Sequence, residues 1–161
     1  MPAKAQKKFD DLKKKIADAQ QELKTTAKTL FKELSAEIFN ENPTLVSFGW
    51  TQYTPYWNDG DTCTFSANTE YPTVTVLASD GKKVRHDENY GETVWLDPED
   101  EEIEHTTDSE QYDQEIELVS EKVGDFLRNF SDEDLETMFG DHCKVTAERS
   151  GKIEVDGYDH E

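Results

Sequence analysis

Apolar side chains fall at Phe9, Leu12, Ile16, Ala19, Leu23, Ala27, Leu30, Leu34 and Ile38, in steps of three and four. That spacing lays one continuous stripe along an amphipathic α-helix over roughly residues 4–39. From Phe9 to Leu23 the stripe keeps close to a heptad repeat, and beyond Leu23 it slips by one position. No Gly or Pro interrupts the segment, and Asn40-Glu41-Asn42-Pro43 ends it. At ~1.5 Å per residue the helix would be ~54 Å long, more than the width of a domain this small, so its first half should project. A projecting apolar stripe calls for a partner helix. Self-association through residues 4–39 is therefore one expectation, and a helix folded back on its own domain is the plainer one.

Past Pro43 the period changes from helical to alternating. Val46, Phe48 and Trp50 alternate with Ser47, Gly49 and Thr51, which predicts a half-buried strand. Asn58-Asp59-Gly60 signals a turn. Further strands are predicted at 62–67, 72–78, 83–86 and 91–96, joined by short connections that favour an antiparallel meander. Residues 97–108 read as a solvated loop, and Asp108 or Ser109 would cap a second helix over 110–129. Its inner face would carry Tyr112, Ile116, Val119, Val123, Phe126, Leu127 and Phe130. Ser131 with Asp134 predicts a capped third helix that buries Leu135, Met138 and Phe139 and stops at Gly140. A hairpin of 143–148 and 152–155 closes the chain. The expected fold is α+β: a long N-terminal helix, an antiparallel sheet of about five to six strands, and two helices packed on one face, with the hairpin joining the sheet or its edge. Two regions follow, a basic amphipathic helix over 1–39 and an acidic α+β domain over 40–161. The 161 residues suffice for one core.

Charge sharpens that division. Residues 1–38 hold nine Lys against six Asp or Glu, a balance of +3, and residues 39–161 hold eight Lys or Arg against 31 acids, a balance of −23. From Asp87 to Glu121 there are 15 acids and no Lys or Arg. Such a surface repels nucleic acid and anionic membrane and attracts basic protein surfaces, including those that hold DNA or RNA. The expected partner-binding acids are Asp87, Glu88, Glu92, Asp97, Glu99, Asp100, Glu101, Glu102 and Glu104. A run this acidic is also what an ordinary solvated surface looks like, or a face that neutralises the protein's own basic helix.

Trp50, Tyr53, Tyr56 and Trp57 crowd one short stretch beside Gln52, Asn58, Asp59 and Asp61. Rigid rings with polar neighbours make a recognition surface, so these four join the expected binding residues. The plainer alternative is a strand whose rings fill the core, followed by a hairpin. Asn58-Asp59-Gly60-Asp61 offers oxygen ligands but lacks the spacing of a calcium loop. Asp141-His142-Cys143, or Cys63 and His86 with His142 and Cys143, would supply zinc or nucleophile chemistry, yet no C-x-x-C or H-x-x-x-H spacing supports it. A metal-dependent enzyme using Asp59, Asp61, Asp141 and His142 is thus the weakest expectation. No catalytic residue, metal or cofactor is assigned, and His160 is read as exposed. Two cysteines suit a reducing compartment, and the first residues contain no apolar signal core.

The stretches FGWTQYTPYWNDGDTCTFS (48–66) and MFGDHCKVTAERSGKIEVDGYDHE (138–161) resemble a family of small, uncharacterised proteins of tailed bacteriophages. In that family an aromatic Y-T-P-Y-[FW]-N-D-G-[DE] segment precedes an acidic helix and a G-D-H hairpin ending. The resemblance spans ~45–161 and leaves out the basic helix. It implies an infected bacterial cytoplasm or a virion as the setting, and it carries no activity onto any residue. Together these readings predict a non-enzymatic phage accessory protein that binds a basic host or phage protein, with nucleic-acid mimicry or inhibition as its mode. The alternative is an assembly protein joined through its first helix.

Overall fold

The computed structural model describes residues 2–87 and 91–159. Helix α1 (Ala3–Glu41) runs unbroken because nothing in it lacks a backbone donor or favours positive φ. It ends where Asn42 turns both its backbone N–H and its side-chain amide onto the Ile38 carbonyl. Only the second half meets the body: Phe31, Ser35, Ile38 and Phe39 are buried, whereas every residue from 2 to 23 is exposed. The expected projection of the first half is what the fold shows.

Strands β1 (Leu45–Tyr53), β2 (Ser66–Ala67), β3 (Thr73–Leu77), β4 (Lys83–Asp87), β5 (Glu92–Leu96), β6 (Glu104–Thr106), β7 (Cys143–Glu148) and β8 (Ile153–Gly157) form one antiparallel sheet. Its order is β6-β5-β4-β3-β1-β7-β8, with β2 paired to the end of β1 at Gln52–Ala67 and Tyr53–Ser66. The sheet is therefore wider than expected. The predicted strand over 62–67 shrinks to two residues, because only those reach β1. The predicted loop over 97–108 contains β6, which pairs with β5 at Val94–Thr106 and Leu96–Glu104. The closing hairpin does more than join an edge, since β7 lies along β1 from Ser47 to Gln52 and leaves β8 at the rim.

Helices α2 (Glu110–Leu127) and α3 (Asp132–Phe139) complete the core with the second half of α1. Ser109 caps α2, and Ser131 with Asp134 forms the expected reciprocal capping box on α3. Register puts Phe48, Trp50, Val74, Val76, Val84, Val145 and Ala147 on one sheet face, and all of them are buried. Phe31 is the hub, with Trp50, Phe126, Phe130 and Phe139 ring centroids 5.2–5.8 Å away. The corner between α1 and β1 is held by Arg149, whose guanidinium donates to the carbonyls of Asn42, Pro43 and Leu45 and lies over the Phe39 ring. Among the described residues no helix is long and apolar enough to cross a membrane.

Candidate functional site

The two stretches that stood out in the sequence, around Trp50 and around Asp141, meet in space. Alternation along β1 turns Gln52 inward, where it is fully buried. Its carbonyl accepts the Trp50 indole N–H at 2.9 Å, and its amide donates to the carbonyls of Leu135 (3.0 Å) and Gly140 (2.7 Å). One residue pair further out, Asp141 accepts from the Thr54 N–H (2.7 Å), the Thr54 hydroxyl (2.6 Å) and the His142 N–H (2.7 Å). Burial acts to raise the Asp141 pKa, but the bonds from Thr54 and His142 outweigh it and hold the carboxyl below its ordinary value. His142 sits at φ 49°, and its ring stacks on Tyr56 at 4.9 Å. Tyr53 packs against Tyr158 at 5.6 Å.

This bracing presents part of the aromatic cluster and removes another part. Tyr56 and Trp57 are 63% and 74% exposed, as a recognition surface requires, and Tyr53 is half-buried. Trp50, also expected among the binding residues, is 2% exposed and lies in the core, where the alternation that defines β1 points it at Phe31. Asn58 to Asp61 form a plain turn closed by the Asp61 N–H on the Asn58 carbonyl, with Asp59 and Gly60 at positive φ. Cys143 points into the core beside the Phe139 and Gly140 carbonyls, and burial followed by the nearby Asp141 charge pushes its thiol pKa up, the wrong direction for a nucleophile. Among the described residues no three of His, Cys, Asp or Glu are placed to hold a metal, so Asp59, Asp61, Asp141 and His142 do not form a centre.

No family model, curated protein or solved structure matches the chain.

The acidic run divides into two parts with different surroundings. In its first part, β4 supplies the cations that the run itself lacks: Lys83 pairs with Glu101, and Arg85 with Glu104. Asp97 accepts from the Glu99 N–H at 2.9 Å and faces His105 at 3.3 Å, and those contacts, in that order, hold its pKa below the ordinary value. His105 stacks on Trp95, and the Lys82 ammonium lies 4.5 Å from the centroid of the Trp95 ring. Asp87 lies opposite Glu92 across β4 and β5, and Asp100 accepts the Glu102 N–H. Glu88 and His160 lie outside the described residues. Partial neutralisation of the loop thus comes from β4, not from the basic helix.

The second part is helix α2. Glu110, Asp113, Glu117, Glu121 and Asp125 are all exposed, in steps of three and four, so they line one outward face. Of these, Asp113 accepts the Thr93 hydroxyl at 2.7 Å and Asp125 pairs with Arg128. The acids' period of about 3.6 is present in the sequence inside the longer acidic run. A second feature with no sequence signal is the hydrogen-bonded chain His86–Thr93–Asp113 linking β4, β5 and α2. Because the Thr93 hydroxyl donates to Asp113, the His86 Nδ1–H donates to Thr93, which fixes the imidazole tautomer.

Proposed function

We propose that the protein is a non-enzymatic binding protein that docks on a basic surface of a bacterial host or phage protein, using the acidic outer face of α2 and the adjoining 99–102 loop. The observation that carries this reading is the α2 stripe, Glu110 to Asp125, in which five exposed carboxylates share the helix with a single lysine, Lys122, and among the described residues only the last of them, Asp125, pairs with a cation, Arg128. Long-range attraction from a body of this sign would steer a basic partner to the stripe. Along the helix one carboxylate recurs every ~6 Å. B-DNA presents a charge about every 1.7 Å of axis. The stripe is therefore a docking face for cationic side chains and not a facsimile of a duplex.

The test uses the full chain as bait in bacterial lysate at low and high salt, beside a variant carrying Glu110→Lys, Glu117→Lys and Glu121→Lys. The expected result is a defined partner retained at low salt, released at high salt and absent with the variant, whose circular dichroism matches the parent. A partner that binds the variant equally, or that resists salt, overturns the reading.

A further inference from the structure

The projecting half of α1, rich in Ala, Lys, Gln and Leu, holds its helix by local propensity, and residues 2–23 are all exposed. In proteins most helical stability comes from packing of an amphipathic face and not from propensity alone. Here Pro2 makes no side-chain cap bond, the first turn contains no acid, and Lys4, Lys7 and Lys8 sit at the end where the helix dipole disfavours cations. What the segment does have is an apolar stripe, with Phe9, Leu12, Ile16, Leu23 and Leu30 exposed by 46–61%. Where α1 passes α3 a groove of about 320 Å³ opens between Leu23, Ala27, Leu30, Phe130 and Met138, with Glu133 and Asp134 on its rim.

We propose that the stripe and the groove are two parts of one self-complementary interface, and that α1 of a second copy lies antiparallel along them. Size complementarity sets the register. When residues whose numbers total 35 or 36 face each other, Leu12 meets Leu23, Ile16 meets Ala19, Ala5 meets Leu30, and Phe9 of the second copy enters the groove over Ala27. Every bulky side chain then has a small one opposite except for the Leu12–Leu23 pair, which is the alternation a close-packed seam needs. The overlap covers ~26 residues of each helix, or ~39 Å.

Charge sets the direction. With Phe9, Ile16 and Leu23 at the first heptad position, Lys15 and Glu22 flank the seam on the same side. Antiparallel helices bring those flanks together, so Lys15 faces Glu22 twice by symmetry. Parallel helices would set Lys8 against Lys13 twice and lay the N-terminal lysines beside their own copies. The antiparallel arrangement instead carries Lys4, Lys7 and Lys8 towards Glu133 and Asp134 on the other copy's α3. This interface shares no residue with the α2 stripe, so either proposal stands or falls without the other.

Sedimentation equilibrium of the full chain should give a dimer. A carboxylate buried in the seam costs several kcal/mol, so Ile16→Glu should weaken that dimer more than about a hundredfold. Near-UV circular dichroism of the buried tryptophan should be unchanged in that variant. Direction is read separately, in a Cys63→Ser background, by mixing Leu12→Cys and Leu23→Cys chains under mild oxidation. Mass spectrometry of the disulfide-linked peptides should find 12 joined to 23, and neither variant alone should cross-link. A monomeric full chain, a dimer indifferent to Ile16→Glu, or cross-linking of 12 to 12 as readily as 12 to 23 overturns the proposal.

Discussion

Gln52 does the most with the fewest atoms. Its fully buried amide accepts from one indole and donates to two backbone carbonyls 83 and 88 residues away in the chain. Removing it leaves the buried Trp50 indole N–H without this partner and takes a donor from two carbonyls, at about 1–3 kcal/mol for a buried group left unpaired, so Gln52→Ala should lower stability by about 2 kcal/mol or more. Urea unfolding checks this through the shift in midpoint. Asp141 works one step outside, tying the Tyr56–Trp57 loop to the turn that starts β7. Tyr112 makes a comparable tie elsewhere: its hydroxyl donates to Asp80, and that bond, then burial, pushes its pKa up to about 12. Glu115 accepts from the Ser79 N–H, so the β3–β4 turn is held to α2 at two points.

At the level of elements, α1 is two helices in one. Its first half is exposed along its whole length from residue 2 to 23, and its second half supplies the core hub. Deleting residues 2–22 should leave a cooperatively unfolding domain of nearly unchanged urea midpoint at concentrations where the full chain is monomeric. Phe31→Ala should cost about 3–5 kcal/mol by the same measurement. A deletion as costly as the substitution would show that the projecting half is needed for the fold. The sequence made α1, α2 and α3 legible to within two residues, because long apolar periods and caps are local signals. It hid β6, since Glu104-His105-Thr106 has no apolar alternation and is held by pairing with β5, by Arg85–Glu104 and by His105 on Trp95. It over-read 62–67, where β-favouring side chains alone have no neighbouring strand to pair with. The candidate surfaces were legible in composition but not in arrangement. That Trp50 is core, or that Lys83 and Arg85 face the acidic loop, depends on which strands are neighbours.

The whole molecule carries a net charge of −20, so its compact state works against its own repulsion. Acidification first relieves that repulsion. It then reaches the carboxyls that folding holds below their ordinary pKa: Asp80 through the Tyr112 hydroxyl, Asp97 through the Glu99 N–H, Glu115 through Ser79, and Asp141 through Thr54 and His142. Groups with depressed folded pKa contribute fully above the ordinary carboxylate range and lose that contribution as pH falls through the folded values. Unfolding by acid should therefore begin below about pH 4, followed by far-UV circular dichroism, and a loss of structure near pH 6 would contradict this. One property of the sheet also bears on how the protein is made. Strand β1 has β7 as its long neighbour, and Arg149 just beyond β7 pins the corner where β1 begins. A nascent chain that has emerged from the ribosome only as far as α3 holds an apolar nine-residue strand with one side unpaired. Such an open edge invites pairing with other chains, so correct folding waits for β7 to leave the ribosome, and translation stalled before Cys143 should yield insoluble product.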